Sequence, residues 1–567
     1  MHERHAGPSA GLAREASGIR LIGDIAPLAA KAYGEKTAYR IVMPNGMNGR
    51  LSFNAIDSLS DDFAVYLREE LGLHAGDRVA LQVPNGLAFP IAAFGIAKAG
   101  LVLVNTNPLY TGTEMGRQFA DAGIRALVIV DMFADKLAEA RAIHPIEHVI
   151  IAAVSEKMPR AVHRVVRMVQ RFWDRSLPPI EGAHHLFRDV LARGASIRAS
   201  RGIHVPDYTA QVNPGDIAVL QYTGGTTGVA KGAMLTHSNL VSNVGQAETC
   251  FGGEIRAGEE VVLTALPLYH IFAFTANMLL FHKWGAENIL IPNPRPISNL
   301  KRAFENHKIT WMTGVNTLFN ALNNEFWFSE DPPRSLRGAV AGGMALQSAV
   351  AERFKAVTGV DVLEGYGLTE TSPIVTFNSR QKFRFGTIGQ PMPQTEIRLI
   401  DAEGREVPTG EPGELTVRGP QVMAGYWQKP EETALALRHG WLMTGDIAVL
   451  DAEGFYRIVD RKKDMILVSG FNVYPNEVED VLAAHPGVLE AAVIGLPDGA
   501  AGEAVSAFVV ARDTHGPTAE QLREHCKAHL TAYKVPKRIE FRESLPKSNV
   551  GKILRKDLRA EIASTGA

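Results

Sequence analysis

The sequence contains only two cysteines, almost no net charge and no long unbroken hydrophobic run, and each scarcity excludes a class of protein. Cys250 and Cys526 are too few for a disulfide framework or a cysteine-rich zinc site, and they fit a reducing cytoplasm. The 59 Lys and Arg residues nearly balance the 61 Asp and Glu residues, so the chain lacks the basic excess of a general nucleic-acid-binding protein. At roughly 150 residues per domain, the length predicts about three to four compact units.

The longest apolar stretch, residues 87–104, is interrupted by a proline, two glycines and a lysine. This pattern predicts a buried helix followed by a strand rather than a membrane span. Residues 1–18 mix charged and small residues without an apolar core, which indicates a loose leader and not an export signal. We therefore expect a cytoplasmic protein without a transmembrane segment.

Short apolar strands alternate with helices from residue 78 onwards, which predicts an α/β fold whose parallel sheet is covered by helices. The expected strands are residues 79–83, 101–104, 126–130, 217–222 and 261–266. Helices are expected at residues 89–98 and 114–122, the second with Thr113 as its N-cap.

The pattern changes after residue 385, where glycine and proline recur between short alternating strands at 396–400, 414–417 and 456–459. The charged run at 460–464 predicts an interdomain hinge. Beyond it we expect helices at 477–484 and 519–529 and strands at 491–494 and 505–510. The predicted organisation is an N-terminal body of parallel α/β subdomains over 19–459, with a small β subdomain at about 385–459, and a mobile α+β C-terminal lid domain over 460–567.

An arginine stripe marks residues 160–175. Its members recur every three or four residues, and Val162, Val165, Val166, Val169, Phe172 and Trp173 form the opposite stripe of a predicted helix. One interpretation is an amphipathic helix, Arg160–Arg175, lying on an anionic membrane. The alternative is a surface helix packed on its own domain with a solvated arginine face, and amphipathicity alone does not separate the two.

The segment 222–232 concentrates residue types that bind phosphate. It contains Thr223, Gly224, Gly225, Thr226, Thr227, Gly228 and Lys231. Glycines let backbone N–H groups approach phosphate oxygens, the threonine hydroxyls add donors, and the lysine supplies a cation. The segment lacks the Gly-Lys-Ser/Thr triplet of a Walker A loop, so a P-loop NTPase is excluded on spacing. The structural alternative is a plain glycine-rich turn.

This segment resembles the phosphate loop of the AMP-forming adenylate ligases, the superfamily of acyl-CoA synthetases, adenylation domains and firefly luciferase. Further stretches resemble the family's motifs in the same order: 364–370 (adenine and metal), 441–446 (ribose), 460–470 (hinge) and 546–552 (catalytic lysine). The resemblance is greatest to bacterial long-chain fatty-acid–CoA ligases, through residues 265–272, 313–320 and 465–475. Leu467 stands where several aryl and luciferase relatives carry lysine, which favours the fatty-acid branch.

The resemblance implies roles for individual residues. ATP or AMP would be bound by the phosphate segment together with Gly343, Glu364, Tyr366, Gly367, Thr369, Asp446 and Arg461. Tyr366 would offer a flat face to adenine, and Asp446 would accept the ribose hydroxyls. Glu370 and Thr223 would hold Mg²⁺, which prefers hard oxygen ligands. The implied catalytic residues are Lys552, which would bridge the substrate carboxylate and the α-phosphate, with Lys231, Thr369 and His270.

A second set is implied for the acyl and coenzyme A channels: His270, Phe274, Val315, Gly470 and Phe471. Phe274 lies where some relatives carry an aromatic gate. Val315, Leu318 and Phe319 could line the tunnel, and core packing is an equal alternative for them. A lone histidine such as His270 is also typical of a satisfied core residue. A rotation about Lys463 would withdraw Lys552 and bring Gly470 and Phe471 to the pantetheine for the second step.

We therefore expect an ATP-dependent long-chain fatty acid–CoA ligase that uses ATP, Mg²⁺ and coenzyme A. The alternatives are a medium-chain or aryl-CoA ligase, a fatty acyl-AMP ligase without CoA transfer, and a non-catalytic relative that binds lipid or nucleotide. The expected partners are the long-chain fatty acid, ATP and CoA, and not nucleic acid. A homodimer and peripheral contact of the Arg160–Arg175 helix with the inner face of an anionic membrane are candidate arrangements.

Overall fold

The computed structural model describes residues 18–223, 230–499, 502–513, 516–548 and 551–565. The predicted leader, apart from Gly18, lies outside these residues. Within the described ranges the strands form four β-sheets, two of them largely parallel. Helices cover these sheets on both faces, so few strand residues are exposed. This burial explains why the strands are apolar along their whole length.

The first sheet is built from the first half of the chain. Its strands lie in the spatial order His185–Leu186, His148–Ala152, Ala126–Val130, Arg78–Gln82, Val102–Asn105, Ile217–Thr223 and Lys231–Thr236. All neighbours are parallel except the last pair, in which Thr223 is opposite Lys231. Both ends of the phosphate segment are therefore held by one antiparallel pair.

The second sheet joins the N-terminus of the body to its later half. Its spatial order is Gln390–Pro391, Ile374–Phe377, Val362–Gly367, Gly338–Ala341, Trp311–Gly314, Val261–Thr264, Glu287–Leu290, Thr37–Val42 and Asn48–Ser52. The central strands are parallel and the pairs at either edge are antiparallel. Ligands of open α/β sheets bind beyond the carboxyl ends of such parallel strands, so this edge is where a site is expected.

Two smaller sheets follow. The third is antiparallel, in the order Glu396–Ile400, Pro412–Arg418, Trp441–Leu450 and Leu437–Arg438, with Tyr456–Arg461 also paired to Trp441–Leu450. The fourth has the order Phe471–Val473, Ile466–Val468, Gly502–Ala511 and Val488–Asp498, with Arg538–Phe541 parallel to Gly502–Ala511. The third sheet alternates between more and less buried residues along its longer strands, as expected for a sheet with one solvated face. The central strands of the fourth sheet are instead buried on both faces, with alternate residues packed into two separate apolar clusters.

Helices cover the sheets on both faces. The α-helices of the described residues are Ile25–Tyr33, Phe53–Val65, Ala88–Lys98, Gly112–Ala122, Leu137–Ile143, Arg160–Met168, Phe187–Arg201, His237–Phe251, Ile271–Ala273, Lys301–Asn306, Asn316–Asn323, Phe326–Glu330, Ser348–Thr358, Pro430–Ala436, Pro475–Ala484, Ala519–His529 and Arg555–Thr565. π-Helical turns span Tyr66–Glu70, Val169–Trp173 and Phe274–Phe281. Short 3₁₀ turns span Ile22–Asp24, Asp131–Lys136, Val205–Thr209, Ile297–Leu300, Thr369–Thr371, Arg380–Lys382 and Ala532–Lys534.

The predicted α/β class is confirmed, and most predicted elements lie within two or three residues of the observed bounds. The apolar stretch 87–104 is a fully buried helix followed by a strand, as predicted. One cap was wrong: Thr111, not Thr113, begins the helix Gly112–Ala122, because its hydroxyl accepts from the Glu114 N–H while Glu114 bonds back to the Thr111 N–H. Among the described residues, no helix is both long and apolar enough to cross a membrane.

Candidate active site

A cavity of about 1660 Å³ lies at the carboxyl ends of the parallel strands of the second sheet. The strands Gly338–Ala341 and Val362–Gly367 lead into it, and so does Trp311–Gly314 through the next residue, Val315. Residues of the third sheet and of the C-terminal region close its other side. The cavity therefore gathers side chains that are separated by up to several hundred residues in the chain.

The phosphate segment enters the cavity from the first sheet. Thr223 ends one strand and Lys231 begins the next, and both line the cavity. Gly224, Gly225, Thr226, Thr227 and Gly228 lie outside the described residues. The Lys231 ammonium stands 5.4 Å from the centre of the Tyr426 ring, a cation–π contact that orients the lysine.

Glu370 lies at the same end of the cavity, in the short turn Thr369–Thr371. Its Oε1 accepts a hydrogen bond of 2.7 Å from the Tyr426 hydroxyl. Burial, and then the Glu370 charge and this bond, raise the pKa of Tyr426. The bond uses one carboxylate oxygen and holds the group in a single orientation. Glu370 and the Thr223 hydroxyl both line the cavity and offer hard oxygen donors, so this end fits Mg²⁺.

A hydrogen-bonded group lies where the nucleoside is expected. The Tyr366 hydroxyl donates to Asp446 Oδ2 over 2.7 Å, and Arg461 Nε lies 3.4 Å from Asp446 Oδ1. Asp446 and Arg461 are cross-strand partners in the third sheet, which explains their proximity. Burial, and then the Asp446 charge, raise the pKa of Tyr366 well above its ordinary value, so it stays a hydrogen-bond donor. Gly343, Gly367 and Thr369 line the same cavity.

Glu364 belongs to the expected nucleotide set, and its surroundings raise the pKa of its carboxyl group. Burial, with a contribution from the charge of Asp480, raises the pKa of Glu364 to about 8, against the opposing effect of a 3.2 Å hydrogen bond from the Leu346 N–H. Asp480 belongs to the C-terminal helix Pro475–Ala484 and lines the same cavity. Two carboxyl groups, one from the second sheet and one from the C-terminal region, thus line the same cavity.

Lys552 reaches the cavity from the C-terminal region. Burial, and then the charge of Arg461, lower the pKa of Lys552 to about 7, against the opposing effect of Asp446. His270 also lines the cavity, and burial and the Lys552 charge lower its pKa to about 4, so its imidazole is neutral. His270 Nδ1 accepts the Phe272 N–H at 3.3 Å as the cap of Ile271–Ala273. The cationic side chains that line this cavity therefore include Lys552 and Lys231 but not His270.

The acyl-channel residues divide into two groups. Val315 lines the cavity, and Phe272 lines it in place of the predicted gate Phe274, which is fully buried in the hydrophobic core. Successive residues of a helical turn point in different directions, so only one of these two rings can face the cavity. Phe319 is also fully buried, with its ring centre 5.1 Å from that of Phe354. For Phe319, the core alternative is the one that the structure adopts.

The residues expected at the pantetheine do not lie at the cavity. Phe471 is 58% exposed and stacks on Tyr533 with ring centres 4.9 Å apart, and Gly470 precedes it with a positive φ of 84°. Lys463, the predicted hinge residue, lies between the strands Tyr456–Arg461 and Ile466–Val468 and lines the cavity. Lys552 therefore lines the cavity, whereas Gly470 and Phe471 do not.

Sequence reasoning missed three residues of the site. Tyr426, which contacts both Lys231 and Glu370, stands in a Gly-Tyr-Trp sequence that marks an aromatic turn and nothing more specific. Phe272 was named only as part of a motif. Arg555 binds Glu479 at 2.7 Å and Asp460 at 3.1 Å, which ties the segment after Lys552 to the start of the predicted hinge. Its buried position among carboxylates has no signature in the local sequence.

Comparison with known proteins gives the family. A model described as AMP-binding enzyme matches residues 28–427, and one described as AMP-binding enzyme C-terminal domain matches residues 477–552. A protein named long-chain-fatty-acid–CoA ligase from Escherichia coli O6:H1 is 50% identical over 512 residues, with 90% of each chain covered. One of the same name from Yersinia pestis is 50% identical over 518 residues, with 91% of each covered.

Solved structures show the same fold along nearly the whole length. An anthranilate CoA ligase in complex with anthranoyl-AMP superposes with a TM-score of 0.83 at 28% identity, covering 96% of this chain and 98% of that one. The match of the first family model extends across most of the chain, and the relatives align over nine-tenths of it. The chain belongs to the AMP-binding enzyme family.

Proposed function

We propose that the chain is an ATP-dependent long-chain fatty acid–CoA ligase. In the first step fatty acid and ATP give acyl-AMP and pyrophosphate, and in the second acyl-AMP and coenzyme A give acyl-CoA and AMP. One cavity carries the proposal, because it joins a polar end with Lys231, Glu370 and Lys552 to an apolar lining. The apolar members are buried side chains that nucleotide chemistry does not require: Phe251, Leu280, Phe281, Val340 and Phe377.

The similarity to known proteins favours a fatty acid over an aryl acid as the substrate. The proteins named long-chain-fatty-acid–CoA ligase are 50% identical to the chain, whereas the anthranilate ligase is 28% identical at the same fold. Leu467 in place of the lysine of aryl relatives points the same way.

The first step places two anions against each other. A carboxylate oxygen of the fatty acid attacks the α-phosphorus of ATP, an oxygen–phosphorus bond forms, and pyrophosphate leaves with the electrons of the broken bond. Lys552 and Lys231 supply positive charge to offset the repulsion and to stabilise the phosphoryl oxygens. Mg²⁺, held by Glu370 and Thr223, would neutralise phosphate charge. The hydrogen bond from the Tyr366 hydroxyl orients the Asp446 carboxylate, to which we assign binding of the ribose hydroxyls.

In the second step the thiolate of coenzyme A attacks the acyl carbonyl, and AMP leaves with the electrons of the broken acyl–oxygen bond. Lys552 occupies the cavity, so the thiol needs it to move away. We assign this motion to the segment from residue 460 onwards, turning about Lys463, with Gly470 and Phe471 carried to the pantetheine.

The test is AMP release that depends on CoA, with palmitate, oleate, octanoate and benzoate compared. Palmitate and oleate are expected to be the better substrates, and activity on benzoate alone would overturn the substrate class. For the roles of residues, Lys552→Ala should abolish acyl-AMP formation but spare thioester formation from supplied acyl-AMP. Lys547→Ala is the matched control, because Lys547 is in the same loop but pairs with Glu490 at 2.6 Å. Equal loss of both half-reactions in Lys552→Ala would contradict the assignment.

The helix Arg160–Met168, continued by Val169–Trp173, is the surface that we assign to membrane contact. Only Val166 and Gln170 are buried along it, while Phe172 and Trp173 are 72% and 86% exposed. Met168, Val165 and Val169 are exposed on the same side. Val162 and Val166 of the predicted stripe pack against the body, whereas Val165, Val169, Phe172 and Trp173 are exposed, and this exposed part favours membrane contact.

The charges beside this stripe favour an anionic bilayer as the partner. Arg160, Arg164 and Arg171 are exposed along one edge, and the Arg171 guanidinium lies over the Phe172 ring. Arg167 is the exception, because it pairs with buried Asp131 and fastens the helix to the body. Aromatic residues next to arginines suit the boundary between headgroups and acyl chains, and each basic residue near an anionic surface contributes about 1 kcal/mol.

Co-sedimentation with phosphatidylglycerol vesicles tests the assignment. The protein should bind these vesicles and not phosphatidylcholine vesicles. Phe172→Ser with Trp173→Ser should weaken binding at least tenfold, while Phe326→Ser, which changes a residue 77% exposed elsewhere, should not. Equal binding of both variants, or self-association through the stripe in place of lipid binding, would refute it.

A further inference from the structure

One face of the helix Asn316–Asn323 carries polar side chains toward the C-terminal region. Thr317 and Asn320 lie three residues apart, so they share a side of the helix, and Asn324 follows one turn later. The helix begins directly after Val315, which lines the cavity. It is therefore the element that runs from the cavity wall to the loop that holds Lys552.

Two neutral side chains of this face donate hydrogen bonds to the C-terminal region, and the Arg512 guanidinium of that region donates to Asn324. The Thr317 hydroxyl donates to the Gly551 carbonyl over 3.1 Å, and the Asn320 amide donates to the Leu489 carbonyl over 2.8 Å. The side chains are uncharged and both acceptors are main-chain oxygens. Gly551 is the residue immediately before Lys552, so the first bond acts one peptide away from the catalytic lysine.

The loop around Lys552 is stiffened by bonds of its own. The Ser548 N–H donates to the Lys552 carbonyl over 2.7 Å, and the Gly551 N–H donates to the Ser548 carbonyl over 2.9 Å. The Lys552 N–H donates to the Ser548 hydroxyl over 3.1 Å. A contact that fixes Gly551 therefore fixes the backbone of Lys552 as well.

Gly551 also has no room for a side chain. Its φ is +87°, and a Cβ there would lie 2.6 Å from the Thr317 hydroxyl and 3.3 Å from a Val315 methyl. The close approach of loop and helix thus depends on glycine at this position. The contact is specific in shape as well as in hydrogen bonding.

We propose that Thr317 and Asn320 are positioning residues that hold the lysine loop in the cavity for acyl-AMP formation and let it go for the second step. The inference rests on the proposed two-step function. Neutral hydrogen bonds suit a contact that must break in each turnover, because water replaces them at little net cost. Loss of one such hydrogen bond should change the population of the state in which the loop is held by about three- to tenfold.

The test compares the two half-reactions in each variant. Thr317→Val removes the hydroxyl and keeps the shape, and it should slow fatty-acid-dependent pyrophosphate release about three- to tenfold. Thioester formation from supplied acyl-AMP and CoA should stay at the wild-type rate or rise. Thr317→Ser restores a hydroxyl and should recover pyrophosphate release, whereas Asn320→Asp, which replaces a donor by an acceptor, should resemble Thr317→Val.

The control is Thr249→Val, because the Thr249 hydroxyl donates to the Gly245 carbonyl within its own helix. Partial unfolding of a variant would lower both half-reactions equally and leave their ratio unchanged. An unchanged ratio in Thr317→Val and Asn320→Asp overturns the positioning role. A wild-type protein that releases no pyrophosphate with any fatty acid overturns the proposed function instead, so the two failures are distinct.

Discussion

Lys552 is expected to take up a proton when MgATP binds at pH 8. Burial lowers its pKa to about 7, and the nearby Arg461 adds to the effect. The charged form of a lysine is lost as pH rises through its pKa, so at pH 8 about one-tenth of the molecules carry a charged Lys552 in this conformation. The phosphates of ATP favour the charged form, and the pKa rises on binding.

The size of the uptake follows from the two pKa values. An opposite charge within a few ångströms shifts a pKa by roughly 1 to 3 units, so a value of about 9 is expected in the complex. The protonated fraction of Lys552 at pH 8 then rises from about one-tenth to about nine-tenths, which is an uptake of roughly 0.8 proton per ATP. At pH 6 the lysine is already charged, and the uptake should fall to about 0.1 proton.

Titration calorimetry measures this directly. MgATP is titrated without fatty acid, so that no turnover occurs, in two buffers of different ionisation enthalpy at pH 6 and pH 8. Lys552→Met should lose the uptake at pH 8, and Lys547→Met, in the same loop but paired with Glu490, should retain it. Equal proton uptake in wild type and Lys552→Met would refute the reasoning, as would an uptake independent of pH.

Three further outcomes follow from the site and the core. Tyr426→Phe removes the hydroxyl that orients Glu370, so the Mg²⁺ concentration for half-maximal acyl-AMP formation should rise about 10- to 100-fold; an unchanged Mg²⁺ titration would contradict the contact. Phe319→Ala should lower the free energy of unfolding by about 3 to 5 kcal/mol in denaturant titrations without changing chain-length preference, because the ring is buried in the core; a shifted preference would return Phe319 to the tunnel. Burial raises the pKa of Glu364 to about 8, so the folded protein keeps a proton that the unfolded chain releases above about pH 4.5. The stability of the wild type relative to Glu364→Gln should therefore fall from pH 5 to pH 8 in thermal unfolding. Parallel pH profiles of the two proteins would refute this.

Local patterns were sufficient for most of the secondary structure. Ala126–Val130 is a strand at its predicted bounds, because five consecutive apolar residues can be buried on both faces of a parallel sheet. Ala519–His529 is a helix at its predicted bounds, with Thr518 as a capping residue. The error at Thr113 arose because two threonines two residues apart both suit a cap, and only the bond to Glu114 selects Thr111.

Site residues that belong to a short sequence motif were predictable, whereas those placed by contacts between distant parts of the chain were not. Thr223, Glu370, Asp446 and Lys552 were named from motifs, and the structure brings them to one cavity. Tyr426 could not be assigned, since its partners lie 56 residues away at Glu370 and farther still at Lys231.

The sequence by itself determined the α/β class, the order of the motifs and the residue types available for phosphate, metal and ribose, because these depend on short-range periodicity and spacing. Only the tertiary structure decided which side chains meet. It turned Phe272 rather than Phe274 to the cavity, left the apolar stripe at Phe172 exposed, and set Thr317 against Gly551. These outcomes depend on how distant elements pack, and the free energy of such packing cannot be derived from any short segment of the sequence.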